Sequence, residues 1–275
     1  MRDVVEILST YCEAVLNGDI KASKAVKRAV ERFLSDMEAI DKGESEYYFD
    51  LQEVEDFDKF ASLFHFKEGV SAGKPIQLVD FQLFIAANIF GFKRKSDGQR
   101  RFKRAYIQLA RKQAKSFLLA IISAYDAFLY GEKRQGYIAG TKSEQSKIVY
   151  SQILDILSTS PVLRGKYTDS YGRITVKKNG SVIRPLSKED GRRGDGLFPA
   201  VAVVDELHLH QTSEIYDVLL SGQVGQSSPL IVAITTAGLD LSTFGYHEYR
   251  DWETDRKSTR LNSSHSAKSR MPSSA

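Results

Sequence analysis

The sequence holds a single cysteine, Cys12, so it can build neither a disulfide framework nor a thiolate metal cage. That residue falls on an apolar helical stripe and reads as packing, in a chain suited to a reducing compartment. Apolar runs long enough to span a bilayer, ~20 residues, are missing too. The most apolar stretch, Ser116 to Tyr130, is broken by Ser and Asp. The opening MRDVVEILST lacks the basic-then-apolar order of a secretory signal, so a soluble protein with no membrane partner is expected. There is no internal repeat. Neither sign of charge dominates: Lys+Arg 39 against Asp+Glu 35 leaves a net +4, which neither demands nor excludes nucleic acid. His208 and His210 come nearest to a metal pair, but no third ligand lies near them in the sequence. What is present is 275 residues, 42% hydrophobic, enough for one sizeable core and a smaller attached unit.

The last stretch, 251–275, differs from the rest. DWETDRKSTRLNSSHSAKSRMPSSA has no apolar periodicity, contains the only tryptophan, Trp252, and is rich in Ser, Arg and Lys. It reads as a non-native or disordered tail, and it resembles translated sequencing-adapter read-through. Without it the chain has 34 basic and 32 acidic residues, a net +2, so part of the basicity belongs to the tail.

Residues 1–45 read as a helical segment. Val4, Ile7, Leu8, Tyr11, Val15 and Leu16 share one helical face, which Asn17-Gly18 ends. Val26, Ala29, Val30, Phe33, Leu34, Met37 and Ile40 make a second. Two short helices cannot bury both stripes against each other, so they must dock elsewhere. Residues 41–75 are aromatic and suggest packed helical turns. PIQLVDFQLFIAANIFGF, starting at Pro75, predicts a helix of about four turns. From there the pattern alternates. Strand-type runs at 105–110 and 136–141 are each followed by an apolar helix, at Lys115 to Leu129 and Ser143 to Leu157. Residues 173–186 alternate around Asn179-Gly180, a two-residue hairpin signal. FPAVAVVDE and SPLIVAITTAG read as strands buried on both faces. The expectation is an α/β three-layer domain with a mostly parallel sheet over 46–250, preceded by N-terminal helices.

Two segments carry chemistry. The first is ARKQAKSFLLA, a turn between a strand and an apolar helix. That layout suits a phosphate-binding loop: free N–H groups at a helix start point at phosphate oxygens, and the helix dipole favours the anion. Lys115 would reach the β- and γ-phosphates of ATP, and the Ser116 hydroxyl would ligate Mg²⁺. The G-x-x-x-x-G-K-[ST] pattern has glycine where Leu109 and Ala114 stand, and a Cβ at Ala114 restricts the loop. The second segment is VAVVDELHLH, an apolar strand ending in Asp205-Glu206 at the carboxyl edge of the sheet, where open α/β sheets bind ligands. Asp205 can hold Mg²⁺ through a water, and Glu206 can orient and deprotonate an attacking water.

The pairing of RKQAKS with VVDELH, followed by a strand ending TTAG, resembles the terminase large subunits of tailed phages over roughly residues 46–250. The resemblance implies a P-loop ATPase that drives double-stranded DNA into a procapsid. It also implies a homo-oligomeric ring on a portal protein, a small terminase subunit as partner, and the host cytoplasm as location. Arg111, Lys112, Lys115 and Ser116 match the family's loop; Gln113 and Ala114 depart from it. Asp205 and Glu206 correspond to the Walker B acid and the catalytic glutamate. Thr235 and Thr236 match the coupling motif that senses the γ-phosphate. Phe81-Gln82 resembles the adenine-recognising glutamine and its aromatic neighbour. Arg192 and Arg193 lie where some members carry an arginine finger, Arg193 being the expected one. The family's nuclease half, with its acidic cluster, has no counterpart here. Another P-loop translocase of helicase type, or a nucleotide-binding module that only docks partners, are the alternatives.

Overall fold

The computed structural model describes residues 2–67, 71–141, 143–186, 196–238 and 240–248, and the backbone of 260–265. Helix α1, Val4–Asn17, begins where the Asp3 carboxylate accepts the Glu6 N–H at 3.0 Å. It ends on Gly18 at φ +88. Ser23 caps α2, Lys24–Asp41, in the same way. Each cap satisfies one of the N–H groups a helix start leaves open. The two stripes dock on a shared core: the Tyr11 ring lies 5.1 Å from Phe84, and Phe33 lies 5.4 Å from Phe84 and 5.5 Å from Phe92. Val15, Val26 and Val30 are fully buried.

After β1, Tyr47–Phe49, and α3, Leu51–Ser62, the chain departs from the helix expected at Pro75. Residue 79 is still extended; α4 covers only Asp80–Ala86, a π-helical turn takes Ala87–Gly91, and β2, Phe92–Arg94, follows. The cause is tertiary. β2 pairs antiparallel with β1, Phe49 opposite Phe92, and the Asp50 N–H donates to the Gly91 carbonyl at 2.7 Å. A Cβ on Gly91 would stand 2.4 Å from the Phe49 ring, so glycine permits this approach.

Next come β3, Arg104–Leu109; α5, Lys115–Leu129; β4, Gln135–Ala139; and α6, Ser143–Thr159. The strands β5, Tyr167–Ser170, β6, Arg173–Val176, and β7, Val182–Pro185, follow. Last are β8, Val201–Val204; α7, Glu214–Ser221; β9, Leu230–Thr235; and β10, Arg260–His265. The eight-stranded sheet runs β10-β3-β9-β8-β4-β7-β6-β5. It is parallel from β10 through β7; β6 and β5 are antiparallel additions at one edge.

Side chains alternate between two cores, as a pleated strand requires. Ile107, Val203, Val232 and Ile234 face the helical layer of α1 to α6. Tyr106, Tyr137, Ala202, Val204, Ile231 and Ala233 face α7 on the other side. This is the expected three-layer α/β arrangement with a mostly parallel sheet. α5 is buried on nearly every side, which explains why its sequence is apolar all round.

Two expectations need correction. The hairpin at Asn179-Gly180 exists, but its turn is not the two-residue type. Val176 donates its N–H to the Ser181 carbonyl at 2.8 Å, which leaves Lys177 to Gly180 in the loop. The reason lies with Asn179, which is held from outside the hairpin. Its amide donates to the carbonyls of Ala127 and Tyr130 at the end of α5, at 3.0 and 2.9 Å. Second, the sequence predicts no regular structure after Arg250, yet Arg260–His265 pairs in parallel with β3 over its whole length. Strand addition uses backbone groups, which any sequence supplies, and β3 would otherwise present an open edge.

Opposite the loop end of α5, a charged cluster sits wholly inside the protein. Arg134 forms a forked pair with Asp126, two bonds of 3.0 Å, and also donates to the carbonyls of Ser227 and Ser228. Arg100 reaches the same carboxylate at 3.5 Å and the Tyr130 hydroxyl at 2.6 Å. All three ionic side chains are fully buried.

Candidate functional site

β3 ends at Leu109 and α5 begins at Lys115, so the segment expected to bind phosphate is the tight connection between them. The connection bends through left-handed backbone at Lys112, φ +64, and at Ala114, φ +53 and ψ +34. For a residue with a Cβ that region costs about 1–2 kcal/mol. Ala114 therefore adopts a conformation that glycine takes without strain. Ala114→Gly is expected to raise stability by up to about 1 kcal/mol and to keep or raise nucleotide affinity. Urea unfolding and ligand titration check both; a severalfold loss of affinity in the folded variant would contradict this.

No side chain caps α5. Its first-turn N–H groups are thus available to an anion, at the positive end of the helix dipole. The strand order sets what faces this loop. β9 lies between β3 and β8, so the ends of all three parallel strands open on one edge. Asp205 leaves β8 with its N–H bonded to the Ala139 carbonyl at 3.0 Å. The Ser116 hydroxyl donates to Asp205 Oδ2 at 3.4 Å, across 89 residues of sequence. Lys115 Nζ stands 3.8 Å from Glu206 Oε1. Glu206 itself sits at φ +48, a strained turn that carries its carboxylate past the strand end. His208 follows in a 3₁₀ turn, Leu207–Leu209; its backbone N–H and its Nδ1 lie 3.1 and 2.8 Å from the Thr235 hydroxyl. The sequence-predicted Lys115, Ser116, Asp205, Glu206 and Thr235 therefore form one cluster.

Burial and the neighbouring Glu206 push the Asp205 carboxyl up to about 6, against the opposing pull of the Glu206 N–H, Lys115 and Ser116. With the folded value above the unfolded one, the folded protein holds the extra proton between about pH 4 and 6. Stability from this group is present below that window and is lost as pH rises through it. His208 is lowered, first by burial and then by Lys115 and Arg111, while Glu206 pulls it up. His210 is lowered to about 4, chiefly by burial.

A family described as the ATPase domain of the terminase large subunit matches residues 80–254. The chain belongs to that family. The large terminase of bacteriophage HK97 superposes with a TM-score of 0.66 at 20% identity, covering 79% of this chain and 45% of that one, and so shares the fold. The large terminase of the thermophilic bacteriophage D6E, solved in complex with ADP, matches with a TM-score of 0.49 at 13% identity, covering 60% and 40%. Protein YmfN of Escherichia coli (strain K12) is 41% identical over 66 residues, 24% of this chain and 14% of that protein. The chain thus spans less than half the length of each of these relatives.

For a terminase ATPase domain, the donor set suits a magnesium nucleotide. Mg²⁺ is held by one or two hard oxygens plus phosphates and waters, not by a dedicated protein cage. Ser116 and Asp205 supply such a pair, and no cluster of three or more His, Cys, Asp or Glu that could hold a metal exists among the described residues. The other sequence-predicted residues are placed differently. Arg111 and Thr236 line a cleft of about 590 Å³ beside the cluster, together with His208, Gly238 and Asp240. Gln82 is buried in α4 with its amide oxygen accepting the Val79 N–H at 3.2 Å. Lys112 and Gln113 are exposed loop residues. Arg192 and Arg193 lie outside the described residues. In the sequence His208 is part of a motif without a role; its contact with Thr235, 27 residues on, is visible only in the structure.

Proposed function

We propose that this chain is the ATP-hydrolysing engine of a phage packaging motor, coupling Mg·ATP turnover to the movement of double-stranded DNA into a procapsid. The observation that carries this reading is the meeting of Lys115-Ser116 with Asp205-Glu206 at the open ends of parallel strands. In this reading Lys115 leaves Glu206 for the β- and γ-phosphates when nucleotide enters, and the α5 N-terminus receives phosphate oxygens. Ser116 and Asp205 would hold Mg²⁺, which would supply charge neutralisation for the phosphates. Glu206, released from Lys115, orients the attacking water and accepts its proton. Thr235 and Thr236 respond to the γ-phosphate, Gln82 recognises adenine, and Arg193 stabilises the transferring phosphoryl group. Portal protein, a small terminase subunit and further copies in a ring are the partners this role requires.

Thermal melting with and without Mg·ATP tests the core of the reading. A ligand that binds only the folded state at 100 times its Kd adds about 2.7 kcal/mol of stability. The stabilisation should vanish on chelating Mg²⁺. It should also weaken as pH falls below about 6, because protonated Asp205 is a poor metal ligand. A wild-type chain whose melting ignores Mg·ATP at neutral pH overturns the proposal.

A further inference from the structure

His208 occupies the junction that joins the acidic pair to the end of β9. Thr235 Oγ1 has one proton and two lone pairs. It donates the proton to the Thr236 carbonyl at 2.9 Å and accepts the His208 backbone N–H at 3.1 Å. With the hydroxyl proton on the Thr236 carbonyl, one lone pair is left for the imidazole nitrogen 2.8 Å away, an arrangement that assigns the hydrogen to Nδ1. Nδ1 also faces Glu206 Oε2 at 3.3 Å, again an acceptor. That oxygen is buried and has no hydrogen bond of its own. Nδ1 is therefore hydrogen-bonded to the coupling strand and stands in close polar contact with the proposed water-activating carboxylate, whose Oε2 has no other partner.

The surroundings hold the imidazole there. A Cβ on Gly238 would stand 3.0 Å from His208 Cβ, and one on Gly245 would stand 2.5 Å from the Leu207 carbonyl and 2.8 Å from His208 Cα. Both glycines let the chain close tightly over the turn that bears the histidine. The Glu206 carboxylate also faces Lys115, on Oε1 at 3.8 Å. Under the proposed function a nucleotide takes Lys115 away, and the donor left beside Glu206 is His208.

We propose that His208 is a positioning residue: Nδ1, hydrogen-bonded to the Thr235 hydroxyl and 3.3 Å from Glu206 Oε2, ties the two, so that the end of β9 and the catalytic carboxylate move together. This rests on the ATPase reading for its consequence in turnover, but the linkage itself is measurable without turnover. Movement of the strand end when the γ-phosphate departs would then withdraw Glu206 from its working position. The reverse also holds, since load on β9 would set where Glu206 points.

Two measurements test this on the full chain. Imidazole ¹⁵N NMR at neutral pH, with the His208 signal identified by its loss in His208→Gln, should show the Nδ1–H tautomer. The Nε2–H tautomer would overturn the proposal, whether or not the protein hydrolyses ATP. In turnover, the two amide substitutions should separate, because Asn places a donor near Nδ1 and Gln places one near Nε2. His208→Gln should lower kcat by about 10²-fold, the scale of a reacting group misplaced by about 1 Å, with KM and melting temperature unchanged. His208→Asn should recover most of that loss. Equal turnover in wild type and His208→Gln overturns the proposal while leaving the ATPase reading intact. Turnover that survives Lys115→Ala would instead remove the ATPase reading, and the tautomer would still decide the linkage.

Discussion

Glu206→Gln should bind Mg·ATP as tightly as the wild type and hydrolyse it about 10²–10⁴-fold more slowly, the span usual for loss of a general base. The amide keeps the size and hydrogen-bonding reach of the carboxylate but cannot take a proton from water. Binding survives because the phosphate contacts come from Lys115, Ser116 and the start of α5, all of which the substitution leaves in place. Affinity should even rise slightly, since Lys115 no longer has to leave a carboxylate 3.8 Å away. Lys115→Ala makes the contrasting case, in which binding and turnover fall together. Steady-state hydrolysis and a nucleotide titration separate the two patterns. Wild-type turnover in Glu206→Gln would show that the end of β8 is structural.

Much of this arrangement is written locally in the sequence. VAVV followed by Asp205-Glu206 states both a doubly buried strand and its chemistry, because a strand between two helical layers needs apolar side chains on both faces. Lys115-Ser116 at the head of an apolar helix is legible for the same reason. What stays hidden depends on contacts distant in sequence. The helix expected at Pro75 stops because β1 claims Phe92, and no periodicity within 75–92 reports that. Asn179-Gly180 looks like a two-residue turn, but Asn179 is committed to the end of α5. The strand at Arg260–His265 has no apolar pattern, and backbone pairing needs none. His208 reads as part of a motif; its role depends on a threonine on a neighbouring strand.

The buried cluster of Arg100, Asp126 and Arg134 is equally invisible in the sequence, where each residue resembles an ordinary solvated charge. Its disruption is expected to have a large effect on stability. Asp126→Ala would leave two fully buried guanidinium groups without their shared carboxylate. The half-exposed Glu132, 3.2 Å from Arg134, would be the one carboxylate still in ion-pair contact with that guanidinium, and removing one partner of a buried ion pair costs about 3–5 kcal/mol. Against a typical total of about 5–15 kcal/mol that is enough to unfold a marginal domain near physiological temperature. The damage should be felt in several elements at once. Arg134 precedes β4 and holds the Ser227 and Ser228 carbonyls ahead of β9, while Arg100 precedes β3. Two of these three strands end at the candidate site, and all three depend on the cluster for their seating on α5. Yet Asp126 lies most of the way along α5, which starts at Lys115, so the cluster is roughly 16 Å from Lys115 at a rise of about 1.5 Å per residue. Whatever fraction of Asp126→Ala remains folded should therefore bind Mg·ATP with wild-type affinity. Asp126→Asn, which keeps hydrogen-bond acceptance but not charge, should fall between the two. Urea unfolding at low temperature measures the loss, and one below about 1 kcal/mol would mean that the guanidinium groups find water and that the cluster does not clamp these strands to α5.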